Sequence, residues 1–158
     1  MTSPSDTTGP IRFPPPLIYV AFLFAGWGLG ALVGEPSVGL PTDIRRGLAF
    51  ALIILGLLLE MAALTRFRRL GTPPEPWKAT TALATDGLYA FSRNPIYVGF
   101  ALIYLGFATA MDSWAALAML IPCMVVVDRF VVLREEAYLS AKFGAAWDAY
   151  CSKVRRWL

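Results

Sequence analysis

The sequence predicts an all-α membrane protein with four transmembrane helices, in which the third and fourth spans form a hairpin and a C-terminal amphipathic interfacial helix follows. Three observations predict this fold. The 158 residues are 57% hydrophobic and only 16% charged, unlike a soluble domain. Four apolar runs are each about long enough to cross a bilayer. Basic residues flank these runs and do not gather into a stripe that would bind nucleic acid.

The apolar runs define the predicted spans, at residues 17–33, 45–64, 95–111 and 114–133. Residues 1–16 are rich in Ser, Thr and Pro, which predicts a flexible lead-in to a single membrane domain over residues 17–158. The polar residues 65–94 connect the second span to the third, and residues 134–158 form a polar tail.

The third and fourth spans are expected to be antiparallel, because only Asp112 and Ser113 separate them. The start of the third span and the end of the fourth therefore lie at one membrane face. This places Asn94 close to Glu135.

Charge predicts that both termini are cytoplasmic, since basic residues concentrate on the cytoplasmic side of membrane proteins. With four spans, the N-terminus, the 65–94 connection and the tail share one side, and the other side holds only Arg45 and Arg46. The basic residues on the richer side are Arg12, Arg66, Arg68, Arg69, Lys78, Arg93, Arg134, Lys142, Lys153, Arg155 and Arg156.

The tail is predicted to break at Gly144 and to end in an interfacial helix. Trp147, Tyr150, Val154 and Trp157 recur at i, i+3, i+7 and i+10, with basic residues between them. That spacing is typical of an amphipathic helix lying on a membrane.

No histidine is present, and the two cysteines lie in an apolar run and in the tail. A metal site and a disulfide are therefore not expected, and the scattered basic residues do not predict a nucleic-acid partner.

The two ends of the hairpin carry complementary chemistry. Asn94 suits a helix N-cap and Pro95 the first helical position, so unpaired N–H groups and the helix dipole there can hold an anion. Arg93 adds a cationic fork, while Glu135 and Glu136 are anionic. Such a pocket suits a zwitterion, including an amino acid attached to a sulfonium. Taken singly, each of these residues also has an ordinary structural role.

Two segments together resemble the isoprenylcysteine carboxyl methyltransferase-like membrane enzymes, a group that includes the phospholipid N-methyltransferases. They are TDGLYAFSRNPIYVGF, from Thr85 to Phe100, and the stretch from Arg134 to Leu158. The family pattern is Arg-(His/Asn)-Pro-x-Tyr, an apolar helical hairpin, a Glu-Glu pair and an aromatic, basic tail. The resemblance covers roughly residues 70–158.

The resemblance implies methyl transfer from S-adenosylmethionine to a lipophilic small molecule or lipid-modified substrate, at the cytoplasmic face and among membrane lipids. The residues that it implies for cofactor binding are Leu88, Tyr89, Arg93, Asn94, Pro95, Tyr97, Glu135 and Glu136. The sequence departs from the eukaryotic pattern at Asn94, where those enzymes have His, and this favours a prokaryotic cytoplasmic membrane. Asn cannot act as a general base near neutral pH.

Arg129 and Glu136 are the expected catalytic residues. Arg129 would orient an anionic acceptor, or alternatively would pair with Asp128 or Glu60 inside the membrane. For Glu60 itself the expectation is a carboxylate that reaches the interface and pairs with the arginines that follow it. Without His to remove a proton, a carboxylate acceptor or a self-ionising thiol is favoured.

Two other function classes compete with an enzyme. A non-catalytic membrane scaffold or small-molecule-binding protein would retain the fold but tolerate changes at Asn94 or Glu136. A small transporter would need broken or charged helices at the midplane, and Pro122 is the one clear interior break in the sequence.

Overall fold

In the computed structural model, residues 13–73 and 78–158 are described, and they are mainly helical. Residues 1–12 of the predicted lead-in lie outside this part. The helices are α1 (Pro16–Val33), α2 (Thr42–Leu70), a 3-10 turn (Gly87–Ala90), α3 (Pro95–Ala110), α4 (Trp114–Val127), a π-helical turn (Asp128–Val132), α5 (Leu133–Phe143) and α6 (Ala145–Cys151).

Three helices are long and apolar enough to cross a membrane: α1, α2 and the continuous helix Trp114–Phe143 formed by α4, the π turn and α5. The third predicted span, α3, is a shorter apolar helix of 16 residues. The second is longer than predicted, because no proline occurs between Pro41 and Gly71, and Gly71 ends α2 in a left-handed conformation (φ 63°).

Close helix packing depends on glycine in two places. In α1, a Cβ at Gly26 would lie 2.7 Å from the Cα of Ala116 in α4, so Gly26 lets these two helices pack closely. Between α2 and α3, a Cβ at Gly56 would lie 2.6 Å from the carbonyl oxygen of Gly99. The two backbones therefore approach more closely than any larger residue at position 56 allows.

The hairpin of α3 and α4 turns through Asp112, which has a left-handed conformation (φ 58°). The Ser113 side chain caps α4 by accepting the N–H of Ala116 at 3.0 Å, and Glu35 accepts the N–H of Ala115 at 2.8 Å. Asp112 also forms an ion pair with Arg45. These contacts tie the turn to α1 and α2 at the end of the molecule opposite Glu135.

The C-terminal segment differs from the prediction. The chain does break at Gly144 (φ 51°), but α6 ends after seven residues at Cys151. Trp147, Tyr150 and Val154 are buried against one another and against Leu83 and other side chains of the protein. The aromatic spacing that suggested a helix on the membrane surface thus reflects packing within the protein.

Candidate active site

The candidate site lies where the start of α3 meets the start of α5. Tyr97, in the first turn of α3, donates its hydroxyl to Oε1 of Glu135 at 2.8 Å. The next residue of α5, Glu136, accepts a hydrogen bond from Nη2 of Arg93, also at 2.8 Å. The hairpin thus brings together the two segments that the sequence placed at one membrane face.

A cavity of about 280 Å³ opens at this junction. Its size is close to the lower end of the range for small-molecule sites, about 300–1,000 Å³. The wall comes from the prolines before α1, the end of α2, the connection before α3, the two helix starts and α6. Six of the eight residues expected to bind a cofactor line it: Tyr89, Arg93, Asn94, Tyr97, Glu135 and Glu136.

The other two expected residues, Leu88 and Pro95, are not part of the cavity wall. Leu88 packs against the buried cluster of Ala63, Ala84 and Tyr89. Pro95 is buried as the first residue of α3. Both residues support the site by fixing the backbone beside it.

Asn94 occupies the N-cap position of α3, but its side chain does not cap the helix. Its Nδ2 instead donates to the carbonyl oxygen of Arg156 at 3.0 Å. The first-turn N–H groups, which no helical carbonyl can reach, are therefore left without a side-chain acceptor. Anion binding at this helix start stays a prediction.

Arg93 is fully occupied by contacts within the protein. Nε and Nη2 donate to Glu136, and Nη1 donates to the carbonyl oxygen of Val154 at 3.1 Å. Its guanidinium also lies 5.8 Å from the centre of the Trp147 ring. The sequence predicted a free guanidinium at Arg93 for a ligand carboxylate. In the structure this guanidinium instead links the start of α3 to α5 and to the C-terminal segment.

Glu136 is likewise engaged, because it bridges two arginines. Oε1 accepts from Arg93, and Oε2 accepts from Nη2 of Arg156 at 2.7 Å. This hydrogen bond with Glu136 is the main cause that raises the pKa of Arg156. With its side chain only 15% exposed, Glu136 is held as a positioning residue, although it was expected to act in catalysis.

Glu135 has a different environment, although it is adjacent in the sequence. Tyr97 holds one oxygen, and no cation lies within ion-pair distance of this carboxylate among residues 13–73 and 78–158. It faces a wall made largely of aromatic and aliphatic side chains. A carboxylate placed in this way is suited to a cationic ligand.

Aromatic residues form much of the remaining wall, and four of them were not anticipated for the site: Phe67, Phe100, Trp147 and Tyr150. Tyr150 donates its hydroxyl to the carbonyl oxygen of Tyr89 at 2.7 Å. Burial raises the pKa of both Tyr89 and Tyr150, so both phenols stay protonated. Burial also raises the pKa of the nearby Cys151 thiol, which therefore remains a poor nucleophile.

Arg129 does not reach the cavity, which contradicts its expected role in orienting an acceptor. It lies in the π turn with its side chain 69% exposed, and its Nε is 4.0 Å from Asp128. It is absent from the cavity wall. The alternative pairing with Asp128 is the one observed, at the outer limit of ion-pair distance.

Sequence reasoning also missed Arg156 as a structural partner and misread Glu60. Arg156 joins Glu136 to Asp128, and only its position in a basic, aromatic tail hinted at a role. The expected pairing of Glu60 with the following arginines does not form within the described residues. Its Oε1 is buried without a hydrogen-bond partner there, and Arg66 pairs with Asp86 instead.

Comparison with known proteins relates this chain to membrane methyltransferases. A model of the phospholipid methyltransferase family matches residues 44–146, from α2 into α6. An uncharacterized protein of Haemophilus influenzae is 36% identical over 63 residues, which are 40% of this chain and all of that protein. The protein-S-isoprenylcysteine O-methyltransferase of Schizosaccharomyces pombe is 36% identical over 75 residues, which are 46% of this chain and 30% of that enzyme.

Proposed function

The chain belongs to the phospholipid methyltransferase family, and from this premise we propose that it transfers a methyl group from S-adenosylmethionine to a lipophilic acceptor. The observation that carries the proposal is Glu135. Its carboxylate faces an aromatic cavity, Tyr97 fixes one of its oxygens, and no cation of the described residues neutralises it. A sulfonium is a cation that such a carboxylate would hold.

The residues of the cavity fit the three parts of this cofactor. Glu135 and the ring faces of Tyr89, Tyr97 and Tyr138 would contact the sulfonium. The uncapped start of α3 would bind the methionyl carboxylate, with Arg93 adding positive potential from its fixed position. The apolar part of the wall would enclose the adenine ring. When bound, the cofactor supplies an electrophilic methyl group for in-line displacement.

The protein's contribution is alignment and exclusion of water. The Arg93–Glu136–Arg156 bridge holds the C-terminal segment against α3, so one side of the cavity stays closed. Their raised pKa values keep Tyr89 and Tyr150 protonated at neutral pH, so neither phenol can remove a proton from an acceptor. This supports an acceptor that needs no base, such as a carboxylate, or a thiol that ionises by itself.

We also propose that all four apolar helices cross the membrane, with both termini and the cavity on the cytoplasmic side. Three helices have the length and composition to do so. The fourth, α3, would cross with them because it is joined to α4 by a short turn and packs against α2 through Gly56 and Gly99. A periplasmic signal from a reporter fused after Leu158 would contradict this arrangement.

Calorimetry with S-adenosylhomocysteine tests the site. Wild-type protein is expected to bind this product, and Glu135→Gln is expected to bind S-adenosylmethionine about tenfold more weakly, because the sulfonium loses its counter-charge. Asp148→Asn is the matched control, since Asp148 is an exposed carboxylate of α6 outside the cavity wall. It should bind like the wild type.

The outcome of this titration separates the two main function classes. No binding of either compound by the wild type would remove the enzyme proposal. Binding without any methyl transfer to lipid extracts would instead support the non-catalytic small-molecule-binding protein. Equal weakening by Asp148→Asn would show that overall charge, and not Glu135, attracts the cofactor.

A further inference from the structure

Two arginines that take no part in the cavity flank an exposed aromatic ring on the outside of the molecule. The side chain of Arg129 is 69% exposed. Arg134 is also exposed, and its guanidinium carbon lies 6.0 Å from the centre of the Phe130 ring. Phe130 itself is 53% exposed. Together these residues form a basic patch around the π turn, in the second half of the long helix Trp114–Phe143.

The π turn brings the two arginines to the same side of this helix. The N–H of Leu133 donates to the carbonyl oxygen of Asp128, five residues earlier. In such a turn, residues five apart lie more nearly above one another than they do in an α-helix. Arg129 and Arg134 have this spacing. An uninterrupted α-helix would rotate Arg134 away from Arg129, so the π turn gives the patch its shape.

The positive charge of the patch is poorly neutralised. The Asp128 carboxylate is held toward the C-terminal segment. It accepts hydrogen bonds from Nη1 of Arg156 at 3.4 Å and from Nε1 of Trp157 at 3.2 Å. Arg129 reaches it only at 4.0 Å. Within residues 13–73 and 78–158, no carboxylate lies within ion-pair distance of Arg134.

The surface next to the patch along the helix is suited to hydrocarbon. Ile121 and Val125 are 73% and 55% exposed, and they precede Arg129 at intervals of four residues. They belong to a helix that is long and apolar enough to span a membrane. An apolar stripe that ends in two arginines matches the chain and phosphate of a phospholipid.

We propose that Arg129 and Arg134 bind the phosphate of an anionic phospholipid in the leaflet at the cavity end, with an acyl chain along Ile121 and Val125. The lipid is a structural ligand on the lipid-facing surface of the helix and is distinct from the methyl acceptor. Two guanidiniums around one phosphate favour an anionic headgroup, because the cation of a zwitterionic headgroup would be repelled. The proposal requires the long helix to cross the membrane but does not depend on methyl transfer.

Native mass spectrometry of the full-length protein tests this site. The protein is reconstituted in vesicles with equal amounts of phosphatidylglycerol and phosphatidylcholine, and the retained lipid is counted after extraction. The wild type should retain phosphatidylglycerol with a preference of about thirtyfold, the effect of two basic residues at a membrane surface. The Arg129→Gln/Arg134→Gln variant should lose most of this preference while keeping its helical circular dichroism.

The matched control is Arg68→Gln/Arg69→Gln, which removes two exposed charges at the end of α2. It should retain phosphatidylglycerol as the wild type does. The proposal is overturned if this control loses the preference equally, or if the Arg129→Gln/Arg134→Gln variant keeps it. Displacement of the lipid by excess inorganic phosphate would also overturn it, since the site would then bind free phosphate.

Discussion

Glu135 and Glu136 are adjacent in the sequence, yet their partners give them different tasks. Glu136 bridges Arg93 and Arg156 and is almost enclosed, whereas Glu135 accepts the hydroxyl of Tyr97 and faces the cavity. A helix turns about 100° per residue, so neighbouring side chains point to different surroundings. The first glutamate is therefore available to a ligand, and the second holds the wall in place.

Glu136→Gln should cost stability more than it costs specific binding. The change leaves Arg93 without a charged partner in a mostly buried position and leaves Arg156 with Asp128 alone, which costs about 3 kcal/mol. For a chain of this size that corresponds to a fall in Tm of roughly 10 °C, measured by thermal unfolding in detergent. The protein that remains folded should bind S-adenosylmethionine better than Glu135→Gln does.

An unchanged Tm would show that the bridge has no structural role. A full loss of binding in well-folded Glu136→Gln protein would restore this residue as a direct ligand of the cofactor.

Tyr97→Phe should weaken cofactor binding about tenfold while the fold is maintained. The lost hydroxyl donates to a carboxylate, a type of hydrogen bond that contributes about 1.5–3 kcal/mol. Titration calorimetry measures the change. Tyr104→Phe is the control, because its hydroxyl donates to the carbonyl oxygen of Ala116 far from the cavity wall. If both variants bound equally well, Tyr97 would not orient Glu135.

For individual residues, the sequence predicted which side chains lie close together but not which hydrogen bonds each of them forms. The short turn between α3 and α4 was enough to bring Asn94 and Glu135 together. The hydrogen bonds that engage Arg93 and Glu136 involve Arg156 and carbonyl oxygens of the C-terminal segment. No local sequence pattern reveals these contacts. Arg129 was misassigned because the π turn, which directs its side chain outward, leaves no clear trace in the sequence.

The helices α2 and α3 pack against each other and both contribute side chains to the cavity wall. These helices meet at Gly56, Gly99 and Gly106, where the lack of a Cβ lets backbone and side-chain atoms of the facing helix approach closely. The contact fixes the position of the start of α3, because Pro95 lies only about one turn before Gly99. Small residues of this kind allow apolar helices to associate where hydrophobic burial contributes little.

Gly56→Ala should separate α2 from α3 and destabilise the protein by about 1–3 kcal/mol, because the new Cβ would lie 2.6 Å from a backbone oxygen. Thermal unfolding in detergent measures the loss. Gly47→Ala in the same helix is the control, since its Cβ would meet nothing within 4 Å. It should be neutral or slightly stabilising, as alanine favours the helix. Equal losses in both variants would contradict the close contact.

The helices themselves were largely predictable, because apolar runs bounded by Pro, Gly and charged residues define α1, α3 and α4. The C-terminal segment was not. Its aromatic residues fit a membrane interface and a buried cluster equally well by spacing alone, and only the neighbouring Leu83 and Leu139 decide between them.

In the whole molecule, both ends of the described chain converge on the cavity. Pro14, Pro15 and Pro16, at the start of α1, form part of its wall. At the other end, Trp157 donates to Asp128 at 3.2 Å and the carbonyl oxygen of Arg156 accepts from Asn94. The opposite end of the helices is closed by Glu35, Arg45 and Asp112. The molecule thus has the cavity at one end and a set of polar contacts between helices at the other.

The most direct test of the account is transfer of a labelled methyl group. Purified protein is incubated with methyl-labelled S-adenosylmethionine and a membrane lipid extract, and label is counted in the organic phase. If Glu135 holds the cofactor for methyl transfer, the wild type and Asp148→Asn should form labelled, lipid-soluble product. Glu135→Gln should form at least tenfold less. No labelled product from the wild type, or undiminished label with Glu135→Gln, would contradict it.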